Sequence, residues 1–466
     1  MSSTDFSSLA LAPEIIANLS SLGYRDMTPI QAQSLPKIIA GKDVIAQGKT
    51  GSGKTAAFGL GLLASLNVKK FRIQSLVLCP TRELADQVAK EIRRLARCIH
   101  NIKVLTLCGG VPFGPQIGSL EYGAHVIVGT PGRIEEHVRK GYLRFDSLKI
   151  LVLDEADRML DMGFRPALDR IIEGMPKKRQ TLLFSATFPE EIETVAKQIM
   201  RQPVRIEVES QHANLIIEQR VYEVRDNAHR WQALRLLLLD STPESAVVFC
   251  NTKREAQEMA GALKKNGFSA LALHGDLDQK QRDQSLVRFD NKSINIIVAT
   301  DVAARGLDID AVDMVVNYQI ARDLDVHVHR IGRTGRAGSK GVACTLVSEK
   351  EKYKLQLLEA HLGQSIAVLV LPSSDLLDSL PREPAMTTLQ IDGGKKKKVR
   401  PGDIVGALTS HGDLDVAQLG KIHIFDHCSY IAVARAITQI AIRKITDGKI
   451  KGRSMRVRHI KEMTCR

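Results

Sequence analysis

The sequence predicts an α/β chain of two tandem parallel-sheet lobes followed by a small α+β domain. Three observations carry this. The chain has 466 residues, more than one core usually organises, so two to four domains are expected. Short apolar, β-rich runs alternate with amphipathic helical stretches, and the whole alternation occurs twice in succession. A break in composition then leads into a basic segment with a different order of elements.

The first series of strand-like runs falls at 75–79, 104–107, 125–128, 150–153 and 181–184, and the second at 246–250, 270–273, 294–298, 314–316 and 342–347. Strands without a polar face are those covered on both sides, which is the signature of a parallel sheet between helices. A polar stretch near 205–213 separates the two series. This gives a first lobe over 1–207, a linker over 208–217 and a second lobe over 218–370. A Ser-, Asp- and Pro-rich linker follows over 371–384, and the last domain spans 385–466. In that domain, strands are expected at 387–391, 421–425, 430–433 and 455–459, with helices starting at Pro401 and spanning 435–445. The order β-α-β-β-α-β matches the RNA-recognition fold, so the domain is read as RRM-like.

Charge points to a polyanion. The net charge is +14, and the segment from Pro384 to Arg466 holds 16 Lys and Arg against 7 Asp and Glu, or +9 of that total. Such concentration in a short tail is an electrostatic footprint for nucleic acid, although a solvated surface competes with it on charge alone. No apolar run reaches the ~18 residues that a membrane span needs. The polar start of the chain carries no secretory signal. A cytoplasmic monomer without a membrane partner is expected. The 7 cysteines are scattered, with no C-x-x-C pair, and read as buried thiols in a reducing compartment.

Gly48-Lys49-Thr50-Gly51-Ser52-Gly53-Lys54-Thr55 satisfies G-x-x-x-x-G-K-[ST] between a strand-like run and a helical one. Glycines let successive backbone N–H groups turn inward around phosphate oxygens, and the helix N-terminus adds its positive end. The expected ligand-facing residues are Thr50, Gly51, Ser52 and Gly53. Lys54 would reach the β and γ phosphates of ATP, and the Thr55 hydroxyl would bind Mg²⁺. A flexible loop competes for the motif alone; its placement between strand and helix argues against that.

The run 150–153 leads into Asp154-Glu155-Ala156-Asp157. Acids that directly follow an apolar strand stand at the carboxyl edge of the sheet, where ligands of open α/β folds bind. Asp154 is placed to hold Mg²⁺, and Glu155 to orient or deprotonate the attacking water. By itself an acid cluster there is more often a helix N-cap. Beside a phosphate loop the catalytic reading gains.

In the second lobe, His329-Arg330-Ile331-Gly332-Arg333-Thr334-Gly335-Arg336 offers three guanidiniums but no second phosphate loop accompanies it. An arginine supplied to a γ-phosphate from a separate element is worth about 10³–10⁵ in rate. A basic surface turn, or a backbone contact to nucleic acid, is the competing reading.

Together these motifs resemble the DEAD-box RNA helicases over residues 1–370, and imply two RecA-like lobes. By that resemblance Gly23-Tyr24 with Thr28-Pro29-Ile30-Gln31 and upstream Phe6 form the adenine-reading Q motif, so Tyr24 and Gln31 join the nucleotide site. Asp308 matches the residue that reads the ribose. Arg333 and Arg336 match the arginines that approach the γ-phosphate. Ser185-Ala186-Thr187 resembles the segment linking hydrolysis to strand separation, with Asp157 as the partner of its hydroxyls and His329 as an inter-lobe contact. Implied RNA-facing residues are Thr81, Arg82, Gly110, Thr130 and Arg133 in the first lobe, and Gly275, Gln279, Arg282 and Thr300 in the second. Glycines and hydroxyls can donate to phosphate and 2′-OH without reading bases. The resemblance implies a kinked strand gripped by its backbone and local, non-processive duplex opening.

Residues 385–466 resemble the C-terminal RNA-binding domain of the bacterial DbpA group, whose members act on large-subunit ribosomal RNA. The carrying residues include Ile391-Asp392-Gly393-Gly394, Arg400-Pro401-Gly402-Asp403-Ile404 and Gly448-Lys449-Ile450-Lys451-Gly452-Arg453. The sheet is poor in aromatics, so recognition is expected through Lys395, Lys397, Arg400, Lys421, Lys449, Lys451 and Arg453, with Tyr430 on the sheet. Structured ribosomal RNA in pre-ribosomal particles is the implied target. An ATP-gated RNA clamp or an RNA-binding scaffold is the alternative to an unwinding enzyme. Glu155, Arg333 and Arg336 favour the enzyme, because a clamp without turnover does not need them.

Overall fold

The computed structural model describes residues 4–48, 51–208, 217–304, 312–335, 341–410 and 414–460. The chain divides into two compact bodies, with the boundary after Ala213.

The first body contains seven parallel strands: β1 (Val44–Gln47), β2 (Ser75–Leu78), β3 (Val104–Leu107), β4 (Val126–Gly129), β5 (Ile150–Asp154), β6 (Gln180–Ser185) and β7 (Val204–Glu207). They lie in the order β3-β4-β2-β5-β6-β1-β7. The central strands β2, β4 and β5 are buried along their whole length, as their unbroken apolar runs require. Odd and even positions feed two separate cores. Val77, Val128 and Val152 pack on the side of the helices Lys54–Ser65 and Arg82–Leu95, while Leu76, Leu78, Ile127 and Leu151 pack on the opposite side.

The second body repeats this plan. Strands β8 (Ile217–Val224), β9 (Ala246–Cys250), β10 (Ala270–Leu273), β11 (Ile296–Thr300), β12 (Met314–Asn317), β13 (Gly341–Ser348) and β14 (Val368–Leu369) are all parallel, in the order β10-β11-β9-β12-β13-β8-β14. The C-terminal domain adds an antiparallel sheet of β15 (Met386–Ile391), β16 (Leu419–Ile424), β17 (Ser429–Ala434) and β18 (Val457–His459), in the order β16-β17-β15-β18. Two helices, Pro401–Thr409 and Thr438–Asp447, cover one face of that sheet.

The alternation of side chains in this last sheet decides what its two faces do. Leu389, Ile391, Ile431 and Val433 point into the domain core. Their neighbours in the same strands must point the other way. Thr388, Gln390 and Tyr430 are nonetheless at most 4% exposed. The second lobe covers them with the helix Gln279–Asp290 and the turn after it. Thr388 Oγ1 lies 3.2 Å from Asn291 Nδ2 and 2.7 Å from Ser293 Oγ, and Gln284 Nε2 is 3.5 Å from Gln390 Oε1. Asp290 pairs with Lys421 at 2.6 Å and has the His423 imidazole at 3.1 Å. No described helix is long and apolar enough to cross a membrane.

Candidate nucleotide and RNA sites

Gly48 follows β1, and Gly51 to Gly53 lead into the helix Lys54–Ser65, at the carboxyl edge of the first sheet. Gly51 and Gly53 have φ of 84° and 93°, the left-handed region that a side chain disfavours. A Cβ at Gly53 would also lie 2.5 Å from Gln31 Nε2 and 2.9 Å from Thr28 Oγ1. Glycine is therefore required there both by the turn and by close approach. Those two neighbours are the Q-motif residues, and they hold the loop directly. Gln31 Nε2 donates to Gly53 O at 3.1 Å, Thr28 Oγ1 donates to Ser52 O at 2.8 Å, and Gln31 Oε1 accepts from the Thr28 amide at 2.9 Å.

Tyr24 has a different place. Its hydroxyl donates to Glu91 Oε1 at 2.6 Å, its ring meets Phe6 edge-on, and the Arg94 guanidinium lies over it. Burial, reinforced by the Glu91 carboxylate, pushes the phenol up to about 12. These contacts commit the Tyr24 hydroxyl to Glu91, and the residue braces the segment that carries Gln31.

Lys54 is 7% exposed and its ammonium donates to Gly48 O. Burial pulls its pKa below the ordinary lysine value, against the opposing attraction of Asp154, Glu155 and Asp157. Asp154 ends β5, wholly buried, and burial followed by the adjacent Glu155 charge raises its carboxyl to about 7. A buried carboxylate whose pKa is held up in this way is short of positive charge, so Asp154 suits a hard divalent cation. Ser52 Oγ is buried without a partner, a further polar group available to a ligand. Glu155 has a φ of 51° at the start of the helix Ala156–Asp161 and pairs with Arg158 at 2.7 Å. Asp157 receives the Thr187 amide and hydroxyl on one oxygen and the Arg158 amide on the other, while its own amide donates to Ser185 Oγ at 3.3 Å. The Gly48 amide donates to Ser185 O at 3.0 Å. Phosphate loop, acid cluster and Ser185-Ala186-Thr187 thus form one connected network within the first lobe. Thr50, Asp308 and Arg336 lie outside the described residues.

The RNA-facing expectations gather in the same way. β3, β4 and β2 are neighbours, and the residues after each of them share the carboxyl edge. Thr81 caps the helix Arg82–Leu95, Gly110 has a φ of 73°, and Thr130 Oγ1 accepts from the Gly109 amide at 3.4 Å. Both terminal nitrogens of Arg133 donate to Val111 O. Arg82 leaves Nη1 buried without a partner. In the second lobe β10, β11 and β9 are neighbours, and Gly275 and Thr300 follow β10 and end β11. Gln279 begins the helix Gln279–Asp290 and Arg282 donates to Ala303 O at 2.8 Å.

Of the arginines around residue 330, Arg333 is 5% exposed and His329 half-buried. Arg330 is 2% exposed and is a structural hub: it donates to Asp301, Asn251 Oδ1 and Gln319 O, and stands over the Phe249 ring. Sequence reasoning missed the partners Asp301 and Asn251. The available signal was a lone acid after β11 and a lone amide after β9, at the same sheet edge.

In the C-terminal domain Lys395–Lys397 form a short turn ending in Lys398 at φ 58°. Lys451, also left-handed at φ 54°, donates to Lys398 O at 2.9 Å and so joins the segment of Lys449 and Arg453 to the lysine run. Lys397 donates to Asp392 O, and the Arg400 amide is capped by Asp403. Two of the expected RNA contacts lie where the domain meets the second lobe. Tyr430 is 3% exposed beneath the second lobe, with Phe425 edge-on, and Lys421 is engaged by Asp290. This face of the sheet is spent on docking, in keeping with its expected poverty in aromatics.

Comparison with known proteins agrees with this arrangement. Residues 28–195 match the DEAD/DEAH box helicase family, 228–338 the helicase conserved C-terminal domain, and 388–459 the DbpA RNA binding domain. The chain is 52% identical over 459 residues to the ATP-dependent RNA helicase DbpA of Escherichia coli K12, covering 98% of this chain and 100% of that one. It belongs to the DEAD-box ATP-dependent RNA helicases of the DbpA group. DbpA of Bacillus subtilis is 35% identical, covering 97% of this chain and 98% of its own. Among solved structures, S. cerevisiae Dbp5 bound to RNA and ADP BeF3 is similar with a TM-score of 0.71 at 32% identity, over 81% of this chain and 100% of that one. The DEAD-box helicase Mss116 bound to ssRNA and UDP-BeF gives 0.72 at 27% identity, over 81% and 82%. This helicase is accordingly an enzyme that hydrolyses ATP and binds RNA through both its core and its C-terminal domain.

Proposed function

We propose that this helicase opens short RNA duplexes locally and non-processively during assembly of the large ribosomal subunit. Its C-terminal domain selects structured ribosomal RNA in pre-ribosomal particles, and the work is done as a monomer in the cytoplasm. The observation that carries this reading is the docking of the C-terminal sheet on the helix Gln279–Asp290, which leaves the basic cluster of Lys395, Lys397, Arg400, Lys449, Lys451 and Arg453 as the surface for RNA. Tethering by that cluster raises the local concentration of a nearby duplex at the helicase core without new core contacts.

In the reaction, residues 48–55 bind the phosphates of ATP, with Gln31 on the adenine edge and Asp308 on the ribose. Thr55 and Asp154 would hold Mg²⁺, which supplies charge neutralisation at the phosphates when bound. Glu155 orients the attacking water and takes its proton. Arg333 and Arg336 stabilise the charge that develops on the transferred group, and His329 couples the lobes. Thr81, Arg82, Gly110, Thr130 and Arg133, with Gly275, Gln279, Arg282 and Thr300, hold the strand by phosphate and 2′-OH, a grip that tolerates any sequence.

The test is RNA-stimulated ATP hydrolysis by the full chain. Large-subunit ribosomal RNA is expected to stimulate at lower concentration than small-subunit RNA or homopolymer of equal length. Replacing Lys395, Lys397, Lys449, Lys451 and Arg453 together by Ala should remove that preference while homopolymer stimulation persists. Equal stimulation by all three RNAs in the unaltered protein would defeat the targeting.

A further inference from the structure

Beyond its phosphate-facing residues, the first lobe presents an aromatic group that the ATPase does not use. Phe113 begins the helix Phe113–Glu121, and its ring stacks on the His137 imidazole with centroids 4.2 Å apart and planes 16° from parallel. Tyr142 stands edge-on to both rings, 5.8 Å from Phe113 and 6.5 Å from His137. The base of this assembly is rigid. His137 is fully buried, with Nε2 at 3.1 Å from Gln116 Oε1, and the Gln116 amide donates to Cys108 O at 2.9 Å. A glycine turn at Gly141, φ 75°, returns the chain so that the Tyr142 amide donates to His137 O at 3.0 Å. Tyr142 as a residue remains 48% exposed.

Cations surround the assembly. Lys140 Nζ lies 4.2 Å from the Phe113 centroid and the Arg133 guanidinium 5.3 Å from it, the two sharing Glu136 at 2.7 and 3.2 Å. Exposed Arg139 shares Glu135 with Arg170, so each pair of cations meets a single carboxylate. Arg133 also donates to Val111 O, so the cluster is continuous with Gly109-Gly110 and Thr130. An aromatic ring held stiffly in water loses little entropy when it takes a partner. Flanking cations suit a partner that carries phosphates.

We propose that Tyr142, buttressed by Phe113 and His137, is a stacking platform for one unpaired nucleobase of the RNA strand, beside the backbone track of the first lobe. The inference rests on the reading that the strand follows Gly109-Gly110 and Thr130–Arg133. It goes beyond that reading because a backbone grip leaves the bases unattended. Stacking is indifferent to base identity, since every base has a π face, so the platform adds affinity and register rather than sequence preference.

The test uses the full chain with ADP and beryllium fluoride, and a short single-stranded RNA carrying 2-aminopurine at one position at a time. Binding is followed by anisotropy, stacking by quenching, and folding by the melting temperature. One position is expected to be strongly quenched. Tyr142→Ala should abolish that quenching and weaken binding roughly 5- to 100-fold, whereas Tyr142→Trp should retain both. If Tyr142→Ala binds as tightly as the unaltered protein, or if the pattern of quenching is the same in both, the platform is overturned while the backbone track stands. Loss of the grip on replacing Arg133 and Thr130, or its persistence, reports separately on that track.

Discussion

Thr187 grips a single carboxylate oxygen of Asp157 with both its amide, at 3.0 Å, and its hydroxyl, at 2.9 Å. Asp157 thereby lies below the usual carboxylate range despite its burial, because donors from Thr187, Ser185 and Arg158 outweigh desolvation. The contact joins the acid cluster after β5 to the segment after β6. Thr187→Ala removes a hydroxyl from a buried charge, a loss of about 1.5–3 kcal/mol. ATP hydrolysis is expected to fall only a few-fold and duplex release by roughly tenfold or more. A variant that loses both activities in equal proportion would show that the contact does not couple them.

Gln31 spends its amide on Gly53 O and its carbonyl on the Thr28 amide. It therefore holds the phosphate loop directly. Gln31→Ala is expected to raise KM for ATP roughly tenfold or more and to narrow the preference for ATP over GTP, since a buried polar edge left unpaired is what rejects the wrong base. Steady-state hydrolysis with both nucleotides measures this, and an unchanged ATP/GTP ratio would exclude Gln31 from adenine recognition.

Glu155 is held at a left-handed φ and against Arg158, which directs its carboxylate. Glu155→Gln preserves shape and removes the base. Single-turnover hydrolysis should drop about 10²–10⁴-fold, with nucleotide and RNA binding retained. Hydrolysis within threefold of the unaltered enzyme would sink the assignment.

Asp290 is the charged centre of the contact between the second lobe and the C-terminal sheet, facing Lys421 and His423. Asp290→Lys places like charges together and should loosen the C-terminal domain, seen as a separate low-temperature transition in calorimetry and as new protease cleavage in 371–384. Homopolymer-stimulated hydrolysis should persist, and release of a duplex tethered to a ribosomal hairpin should decline. A single unchanged transition would show that the polar contacts of Thr388 and Gln390 suffice.

His327 is fully buried and neither ring nitrogen has a partner. Burial pushes its pKa down to about 3 from 6.5. The folded state keeps the neutral ring, whereas the unfolded chain takes up a proton below pH 6.5. Stability is therefore fully present above pH 6.5 and declines as pH falls towards 3, by up to about 1.4 kcal/mol per pH unit. His327→Leu should flatten that acid limb in urea titrations at pH 7.5 and 5. An identical slope would remove His327 as its source.

The sequence by itself determined everything carried by short spacing. Gly48 to Thr55 lies between a strand and a helix, so its geometry is local, and the residues after each apolar strand reach one edge because parallel sheets align their carboxyl ends. Tertiary structure decided which neighbours those residues meet. Arg330 and Arg333 look alike in the chain, yet Arg330 is consumed by Asp301 and Asn251. Tyr24 turns its hydroxyl to Glu91, and Tyr430, expected among the RNA contacts, is covered by the helix Gln279–Asp290. The alternation along β15 and β17 fixes that two faces exist, but which face meets solvent depends on a surface more than a hundred residues away. Periodicity encodes direction; burial is settled only when distant elements pack.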